Sequence, residues 1–444
     1  MKNRIENFKK IIDKNEKLNF IISNVNYQNI KIREGKLSKF CYIIKDNISL
    51  EDHLTTGGSS FLKNYISPYS ATLIELLSNE GAIPIAKSNM DEFGLGGTGT
   101  FSYNGDVINP YDEKRITGGS SSGSAVAVAI NACDFSLGTD TGDSIRRPGS
   151  YLGVIGYKPT YGLISRYGVL PYSPSFDHVG LFSKDISIIQ SVMSVIAKHD
   201  DKDFTSQNIE IDFLEENENK KYTIAVLKQT FKDVRKEVVD LFNNSLNKIQ
   251  NVNIEQKDFE EKILKMIPLV YKIISYSEAV SCYQNMTGIT FGENMGGKNF
   301  EETATNNRTK NFGNELKRRF IIGSFCTSED NYNDLFLKSK KIRTLVINET
   351  NKIFEKSDFI ISLGSSDIAP LNKDIKENNV KDKLADYYLQ VANFGGYPSI
   401  TIPMGYINEM PIGMNIMGKL NSDAELLFFA KKIMKELNVR DKND

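Results

Sequence analysis

Apolar and polar positions change in blocks that predict alternating strands and helices in the first hundred residues. Residues 1–20 are polar except for apolar positions at helical spacing, which predicts an amphipathic helix. Short apolar runs at 40–44 and 82–87 predict buried strands, and residues 71–80 between them predict a helix. Such alternation is typical of a parallel sheet covered by helices.

The segment 117–162 is the part of the chain most densely interrupted by Gly and Ser. It begins as a Gly/Ser loop and then predicts a helix of small residues at about 124–131. From there to Val154 the sequence leaves almost no room for regular structure. We therefore expect turns and loops over this stretch.

The second half of the chain predicts more strands and a long helical region. The acidic stretch at about 200–219 predicts a connecting loop, and residues 230–355 are mostly helical by pattern. No internal repeat or low-complexity tail is present, which favours one large α/β domain over two. Three further buried strands and a final helix are predicted at 222–227, 359–363, 399–404 and 422–437.

The composition is that of an ordinary globular protein of 444 residues. Its 55 Lys and Arg balance 56 Asp and Glu, so nothing in the composition marks the whole chain as a nucleic-acid-binding protein, which needs a concentrated basic face. No uncharged apolar run reaches about 18 residues and no signal core begins the chain, so we expect a cytoplasmic location without membrane contact. Four scattered cysteines and three histidines predict no metal site.

The stretch Gly94 to Gly99 matches the G-x-G-x-x-G pattern of dinucleotide-binding loops. Such a loop requires a strand before it and a helix after it. Here polar SNMDEF precedes the glycines and turn-rich FSYNGDVINP follows them. We therefore predict no nucleotide site at this position.

Two Gly-flanked serines, Ser120 and Ser144, stand 24 residues apart in turn-rich sequence. The loop at 118–124 is either a flexible linker or part of an active site whose backbone N–H groups face a substrate. Lys45 is either a surface lysine or, at the end of an apolar run, a desolvated amine. A neutral amine could take a proton from a serine without the help of histidine.

The stretch from Gly118 to Val169 resembles the amidase signature sequence, a long and specific motif. The segments IKDNI, TTGGS, SNMDEF and SFDHVGLFSKD agree with it, so that the resemblance covers nearly the whole chain. It implies an α/β amidase-signature fold with a mixed, mostly parallel twisted central sheet and helices on both faces. We expect a single domain over 1–444, made of N-terminal helices (about 1–20), a signature core (about 40–185), a helical insertion (about 230–355) and a C-terminal sheet and helix (about 356–444).

Within this family the chain resembles in particular the glutaminase subunits of tRNA-dependent amidotransferases, through LKRRFIIGSF, SKKIRTLV and ADYYLQVANFGGYPSITIPMG. The resemblance implies that glutamine is hydrolysed here and that ammonia passes through an internal tunnel to a partner. That partner, the B subunit, would use ATP and Mg2+ to activate Glu-tRNA(Gln) or Asp-tRNA(Asn), and would hold most of the tRNA. A small C subunit would complete a heterotrimer. No cofactor is expected in this chain.

The resemblance also assigns roles to individual residues. Ser144 matches the nucleophile, and Ser120 matches a bridging serine that follows a cis peptide bond. Lys45 matches the general base. The oxyanion hole would be formed by the backbone N–H groups of Thr141, Gly142, Asp143 and Ser144.

Glutamine would be held by its α-groups. Arg319 matches the residue that binds the α-carboxylate, and Asp386 matches the acid that binds the α-ammonium. Without the resemblance, Arg319 is equally a helix-surface arginine and Asp386 a loop aspartate.

The sequence departs from the common family pattern at three positions. Asp143 replaces the second Gly of TGGS, and its carboxylate should point away from the oxyanion. Ser122 replaces a Gly in the Gly/Ser loop. Phe291 stands where relatives often have a tyrosine near the glutamine, so that a hydroxyl contact is lost.

Two other functions fit the same sequence. The chain could be a stand-alone amide hydrolase of the same family, which would turn over simple amides without a partner. It could also be a non-catalytic scaffold subunit, although an intact Lys45, Ser120 and Ser144 set speaks against that role.

Overall fold

A computed structural model describes residues 2–214, 220–377, 379–380 and 383–439 of the chain. The predicted loop at 200–219 has neither helix nor strand over 200–214, and its last five residues lie outside the described part. Within these ranges no helix combines the length and the apolar run that a membrane crossing requires.

In the described residues, eleven strands join one sheet in the order β1-β3-β2-β4-β6-β5-β10-β11-β9-β7-β8. In chain order they are β1 (Ile21–Asn24), β2 (Cys41–Lys45), β3 (Ile83–Ser88), β4 (Phe135–Asp140), β5 (Ile155–Lys158), β6 (His178–Ser183), β7 (Tyr222–Val226), β8 (Val252–Gln256), β9 (Phe359–Leu363), β10 (Ser399–Ile407) and β11 (Met410–Gly418).

The sheet is mixed, as predicted, but the expectation that it is mostly parallel is wrong. Of the ten neighbouring pairs in the described sheet, only β2 with β3 and β4, and β7 with β8 and β9, are parallel. The other six pairs are antiparallel. β10 and β11, for example, are joined by Asn408 and Glu409, both with positive φ, and a two-residue turn of this kind can join only antiparallel strands. A short apolar run shows that a strand is buried but not which way its neighbour runs.

The α-helices of the described residues are α1 (Lys2–Lys14), α2 (Thr72–Asn79), α3 (Ser122–Ala129), α4 (Arg146–Leu152), α5 (Ile186–Ile196), α6 (Lys236–Leu246), α7 (Glu261–Tyr283), α8 (Phe300–Asn311), α9 (Asn314–Cys326), α10 (Lys338–Phe354), α11 (Asn372–Lys376), α12 (Leu384–Tyr388), α13 (Val391–Gly395) and α14 (Asp423–Leu437). The predicted helices at 1–20, 71–80, 124–131 and 422–437 correspond to α1, α2, α3 and α14.

Helices cover both faces of the sheet, which confirms that part of the expected fold. In β2, Tyr42 and Ile44 belong to one apolar cluster, together with residues of α2, α5, α6 and α14. Cys41 and Ile43 belong to a second cluster, with residues of α1 and α3. Successive residues of a strand point to opposite faces, so the two clusters are the two layers of the core. All four side chains are fully buried.

The expectation of almost no regular structure between α3 and Val154 is wrong. This stretch contains strand β4 and helix α4. Helix α4 includes Pro148 and Gly149, which a pattern-based prediction treats as helix breakers. Pro148 is tolerated in the first turn, where no intrahelical N–H bond is lost, and every residue of α4 is buried. Tertiary packing therefore overrides local propensity here.

The region 230–355 consists mostly of helices, and it also contains one strand. Strand β8 lies within it and forms an edge of the sheet beside β7. Helices α7, α9 and α10 of this region pack together, and α9 carries Arg319 towards the core. The prediction of a single domain stays a prediction.

Candidate active site

Lys45, the last residue of β2, is fully buried and ends among three hydroxyl groups. Its Nζ lies 2.8 Å from Ser120 Oγ, 2.8 Å from Ser121 Oγ and 2.7 Å from Thr139 Oγ1. Ser120 and Ser121 lie just before α3, and Thr139 lies on β4, the parallel neighbour of β2. The sheet therefore brings together residues about a hundred positions apart.

The hydrogen bonds around Nζ are compatible with a neutral amine. Ser121 Oγ donates to the carbonyl of Thr139 at 3.0 Å, so it can only accept from Lys45. Thr139 Oγ1 already accepts from the side-chain amide of Asn47 at 3.1 Å. A neutral amine has two hydrogens and one lone pair. If the hydrogens go to Ser121 and Thr139, the lone pair is left for the hydroxyl proton of Ser120.

Burial lowers the pKa of Lys45 from its ordinary value to about 7. The negative charges of Asp91, Asp140 and Asp177 oppose this effect and keep the pKa from falling further. A group of this kind is neutral in about half of the molecules at neutral pH, which is the condition that general-base catalysis favours.

Ser144 lies in the turn between β4 and α4, beside the Gly/Ser loop. Its carbonyl oxygen accepts a hydrogen bond from the N–H of Ser121 at 3.3 Å, which ties the two turns together. The peptide bond between Gly119 and Ser120 is cis, as the family resemblance implies. Within the described residues no hydrogen bond joins the Ser120 and Ser144 hydroxyls, so the proton transfer from Ser144 to Ser120 stays a prediction.

The backbone around Ser144 presents unused donors. Across the described structure, the N–H groups of residues 141–144 have no hydrogen-bond acceptor. The Thr141 side chain donates to Asp177 at 2.6 Å. Gly142 packs against the Tyr271 ring so closely that a Cβ would lie 2.7 Å from it, which excludes larger residues. Free amides in a fixed turn can stabilise a developing oxyanion.

A buried ion pair that the sequence did not reveal fixes this turn. Arg146, fully buried, contacts both carboxylate oxygens of Asp140, at 2.9 and 3.1 Å. It also donates to the carbonyl of Gly142 at 2.7 Å and to the side chain of Asn393 at 2.6 Å. Burial by itself raises the pKa of Asp140, but Arg146 and Asn393 outweigh it and hold this pKa well below its usual range. The pair stays ionised and holds the ends of the turn together.

Arg319, Asp386 and Asp143 line one cavity of about 700 Å³ next to the Ser144 turn. The Arg319 guanidinium donates to Glu315 at 2.8 Å and to the hydroxyl of Tyr172 at 3.1 Å. Arg319 is therefore a buried cation facing a cavity, and the alternative of a helix-surface arginine is excluded.

Asp386 lies at the start of α12 and is buried. Its carboxylate accepts from the N–H groups of Ser366 and Lys383, both at 2.9 Å, and lies 3.1 Å from the guanidinium of Arg147. The carboxylate is thus fixed in position on the wall of the cavity.

Phe291 does not line this cavity. It packs at the edge of an aromatic cluster that includes Phe61, Phe93 and Tyr172. This position, outside the cavity that Arg319 and Asp386 line, does not support its predicted place near the glutamine.

Several site residues escaped sequence reasoning. Ser121 and Thr139 contact the lysine only because the strands pair as they do, and no local pattern marks them. Arg147 could have been found, because it stands four residues after Asp143, a spacing that pairs opposite charges on a helix. The described residues contain no group of three or more His, Cys, Asp or Glu side chains arranged to bind a metal ion.

Comparison with known proteins identifies the family. The model of the Amidase family matches residues 26–427. The chain is 45% identical to the A subunit of glutamyl-tRNA(Gln) amidotransferase of Mycoplasma genitalium, over 94% of this chain and 91% of the relative. It is 37% identical to the protein of the same name in Sulfurisphaera tokodaii, over 93% and 88%.

A solved structure shows the same architecture. The crystal structure of the A subunit of glutamyl-tRNA(Gln) amidotransferase from Thermotoga maritima superposes with a TM-score of 0.82 and 30% identity, covering 97% of this chain and 90% of that one. The segment matched by the family model contains Lys45, Ser120 and Ser144 as well as Arg319 and Asp386. This chain belongs to the amidase family.

Proposed function

We propose that this chain is the glutamine-hydrolysing subunit of a glutamyl-tRNA(Gln) amidotransferase. One observation carries the chemistry: a fully buried lysine contacts Ser120 at 2.8 Å beside the Ser144 turn, whose amides have no acceptor and whose Asp143 lines a cavity. The names of the similar proteins supply the substrate and the larger assembly.

The first step forms the bond between enzyme and substrate. Neutral Lys45 takes the hydroxyl proton of Ser120 while Ser120 takes that of Ser144. The oxygen of Ser144 attacks the side-chain amide carbon of glutamine. The carbonyl oxygen becomes an oxyanion, and the N–H groups of residues 141–144 receive it.

The second step breaks the carbon–nitrogen bond. The proton held by Lys45 returns through Ser120 to the leaving nitrogen, so that ammonia departs and a glutamyl ester of Ser144 remains. Water then attacks the ester, and the relay takes one of its protons and returns it to Ser144. Glutamate leaves, and the three residues regain their starting states.

In this proposal, glutamine is held by two opposite charges that line the same cavity. Arg319 takes the α-carboxylate and Asp386 takes the α-ammonium. Both are buried, and both are anchored by hydrogen bonds to their neighbours. A fixed pair of this kind orients the side-chain amide towards Ser144.

Ammonia passes to the partner subunits in this proposal. The B subunit uses ATP and Mg2+ to activate Glu-tRNA(Gln), Asp-tRNA(Asn) or both, and it holds most of the tRNA, in keeping with the near-neutral charge of this chain. A small C subunit joins the pair, and the complex works in the cytoplasm. This chain itself uses no cofactor.

The pH dependence of glutamine hydrolysis should follow the titration of Lys45. Only the neutral amine is a base, and its fraction grows as pH rises through its pKa of about 7. We expect kcat/KM to fall about tenfold for each pH unit below this value and to level off above it. The measurement is a pH–rate profile of the assembled complex from mildly acidic to mildly alkaline buffer. A flat profile through neutrality would contradict the assignment of Lys45 as the base.

The proposed function is tested by purifying the chain alone and with its native partners. We expect glutamine hydrolysis to be strongest in the complex given mischarged tRNA and ATP, with Gln-tRNA(Gln) or Asn-tRNA(Asn) as the product. Both mischarged tRNAs should be offered, since this decides which is served. Fast turnover of simple aliphatic or aryl amides by the chain alone would instead support a stand-alone amide hydrolase.

A further inference from the structure

The Ser144 turn carries a charge next to its oxyanion donors. Asp143 contributes one of the four amides of the predicted oxyanion hole, and its carboxylate lines the cavity. A negative charge there opposes the negative charge that develops on the substrate oxygen. Something in the structure must compensate for it.

Arg147 supplies that compensation. Its Nε lies 2.6 Å from Asp143 Oδ2, within the same turn of chain that leads into α4. Its backbone N–H also donates to the carbonyl of Asp143 at 2.9 Å. Asp143 is therefore held at two points by one residue.

The same guanidinium reaches the second acid of the cavity. Arg147 lies 3.1 Å from Asp386 Oδ1 and donates to the main-chain carbonyl of Asp386 at 3.1 Å. Arg147 and Asp386 are 239 residues apart. One arginine thus links the nucleophile turn to the helix that carries the proposed ammonium acceptor.

Two ion-paired groups of opposite net charge line the cavity. Asp143, Arg147 and Asp386 together carry one net negative charge. Arg318, Arg319 and Glu315 are joined by ion pairs and carry one net positive charge. The lining also contains the Arg235–Asp367 ion pair and the charged side chains of Arg115, Lys272, Asp374 and Lys383. The two groups offer one negative and one positive site to an α-amino acid.

We propose that Asp143 and Arg147 act as one unit in substrate binding and catalysis, with Arg147 as a positioning residue that divides its charge between Asp143 and Asp386. Because Asp143 shares the positive charge of Arg147, Asp386 is not fully neutralised and can still attract the α-ammonium. Arg147 in turn keeps the charge of Asp143 from opposing the oxyanion. This inference rests on the proposed function, since it takes glutamine as the substrate.

If Asp143 and Arg147 act together, the two single variants should differ in which constant changes, KM in one and kcat in the other. In Asp143→Asn, Arg147 no longer shares its charge with Asp143 and neutralises Asp386 more fully, so KM for glutamine should rise about tenfold with little change in kcat. In Arg147→Gln, Asp143 is uncompensated, so kcat should fall about tenfold or more while KM does not rise. In the double variant the net charge of positions 143, 147 and 386 returns to its original value. Both KM and kcat should therefore recover to within a few-fold of wild type.

The measurement is a four-variant cycle in the assembled complex, with glutamine and with glutaric acid monoamide, which is glutamine without its α-amino group. The KM defect of Asp143→Asn should vanish with the monoamide, because this substrate lacks the α-ammonium that Asp386 is proposed to bind. Arg147→Lys, which keeps the charge but loses the planar fork, should regain part of the kcat lost in Arg147→Gln. A purely structural role would affect both substrates equally.

Two results would contradict the joint action of Asp143 and Arg147. The first is a double variant whose loss of kcat/KM equals the product of the losses in the two single variants. The second is an increase in KM of equal size for both substrates in Asp143→Asn. If Arg147→Gln fails to assemble, the two-substrate comparison of Asp143→Asn still decides. Wild-type complex that does not hydrolyse glutamine would reject the proposed function itself, whereas an active wild type with independent defects rejects only this inference.

Discussion

Ser144→Ala should abolish glutamine-dependent amidation of tRNA while leaving ammonium-dependent amidation intact. Removing a covalent nucleophile typically lowers kcat by about 10⁴-fold or more, because the remaining groups act only through it. In the proposed function, free ammonium salt would bypass this chain and supply the partner subunit directly. The two activities are measured on the same purified complex, with charged tRNA as the common product.

A matched serine in the same loop provides the control. Ser122 is fully buried, and its hydroxyl has no hydrogen-bond partner in the described residues. Ser122→Ala should therefore keep glutamine-dependent activity close to wild type. If Ser144→Ala kept this activity as well, the chain would be a scaffold rather than the glutaminase.

Lys45→Met should reduce glutamine hydrolysis by about 10³- to 10⁴-fold, the upper range for loss of a general base. Methionine has nearly the length of lysine, and it fills a fully buried site without the cost of desolvating an amine. The protein should therefore fold and assemble, as judged by its thermal unfolding midpoint and by co-purification with partners.

Lys45→Arg separates the role of base from that of a structural cation. Arginine keeps a positive charge and hydrogen-bond donors but does not lose its proton in proteins. It should be as inactive as Lys45→Met. Appreciable activity in either variant would show that a group other than Lys45 takes the proton from Ser120.

Lys87 shows that burial alone does not make a catalytic lysine. It lies on β3, beside β2, and is as deeply buried as Lys45. Its Nζ is 3.1 Å from the Asp46 carboxylate, and it donates to Thr55 and to the carbonyl of Leu54 at 2.8 Å. Lys87 is occupied by an ion pair, whereas Lys45 contacts hydroxyl groups that can exchange protons with it.

Sequence reasoning found the site residues whose signals are local or belong to a motif. Lys45 ends an apolar run, and Ser120 and Ser144 stand in Gly-rich turns of a long signature. Arg319 and Asp386 came from the resemblance alone, since nothing in their own segments marks them. The structure places both on one cavity, but it places Phe291 in an aromatic cluster outside it.

The secondary structure predicted from the sequence was wrong where tertiary packing overrides the local helix or loop preference of the residues. The sequence RRPGSYL looks like a loop, because it contains Pro and Gly, yet it forms α4. The start of this helix brings Asp143 and Arg147 together. The negative charge of Asp143, which the sequence placed next to the oxyanion, is therefore paired with a positive one. The carboxylate is held by a guanidinium at 2.6 Å.

By itself, the sequence determined which segments are buried, where most strands and helices lie, and which signature the chain carries. The spacing of apolar residues within a short segment is enough to predict whether that segment is buried and whether it forms a helix or a strand. Only the tertiary structure decided the directions of the strands, the hydroxyl groups around Lys45 and the bridge that Arg147 makes to Asp386. These contacts join residues up to 239 positions apart, and they depend on the path of the whole chain, which no local pattern specifies.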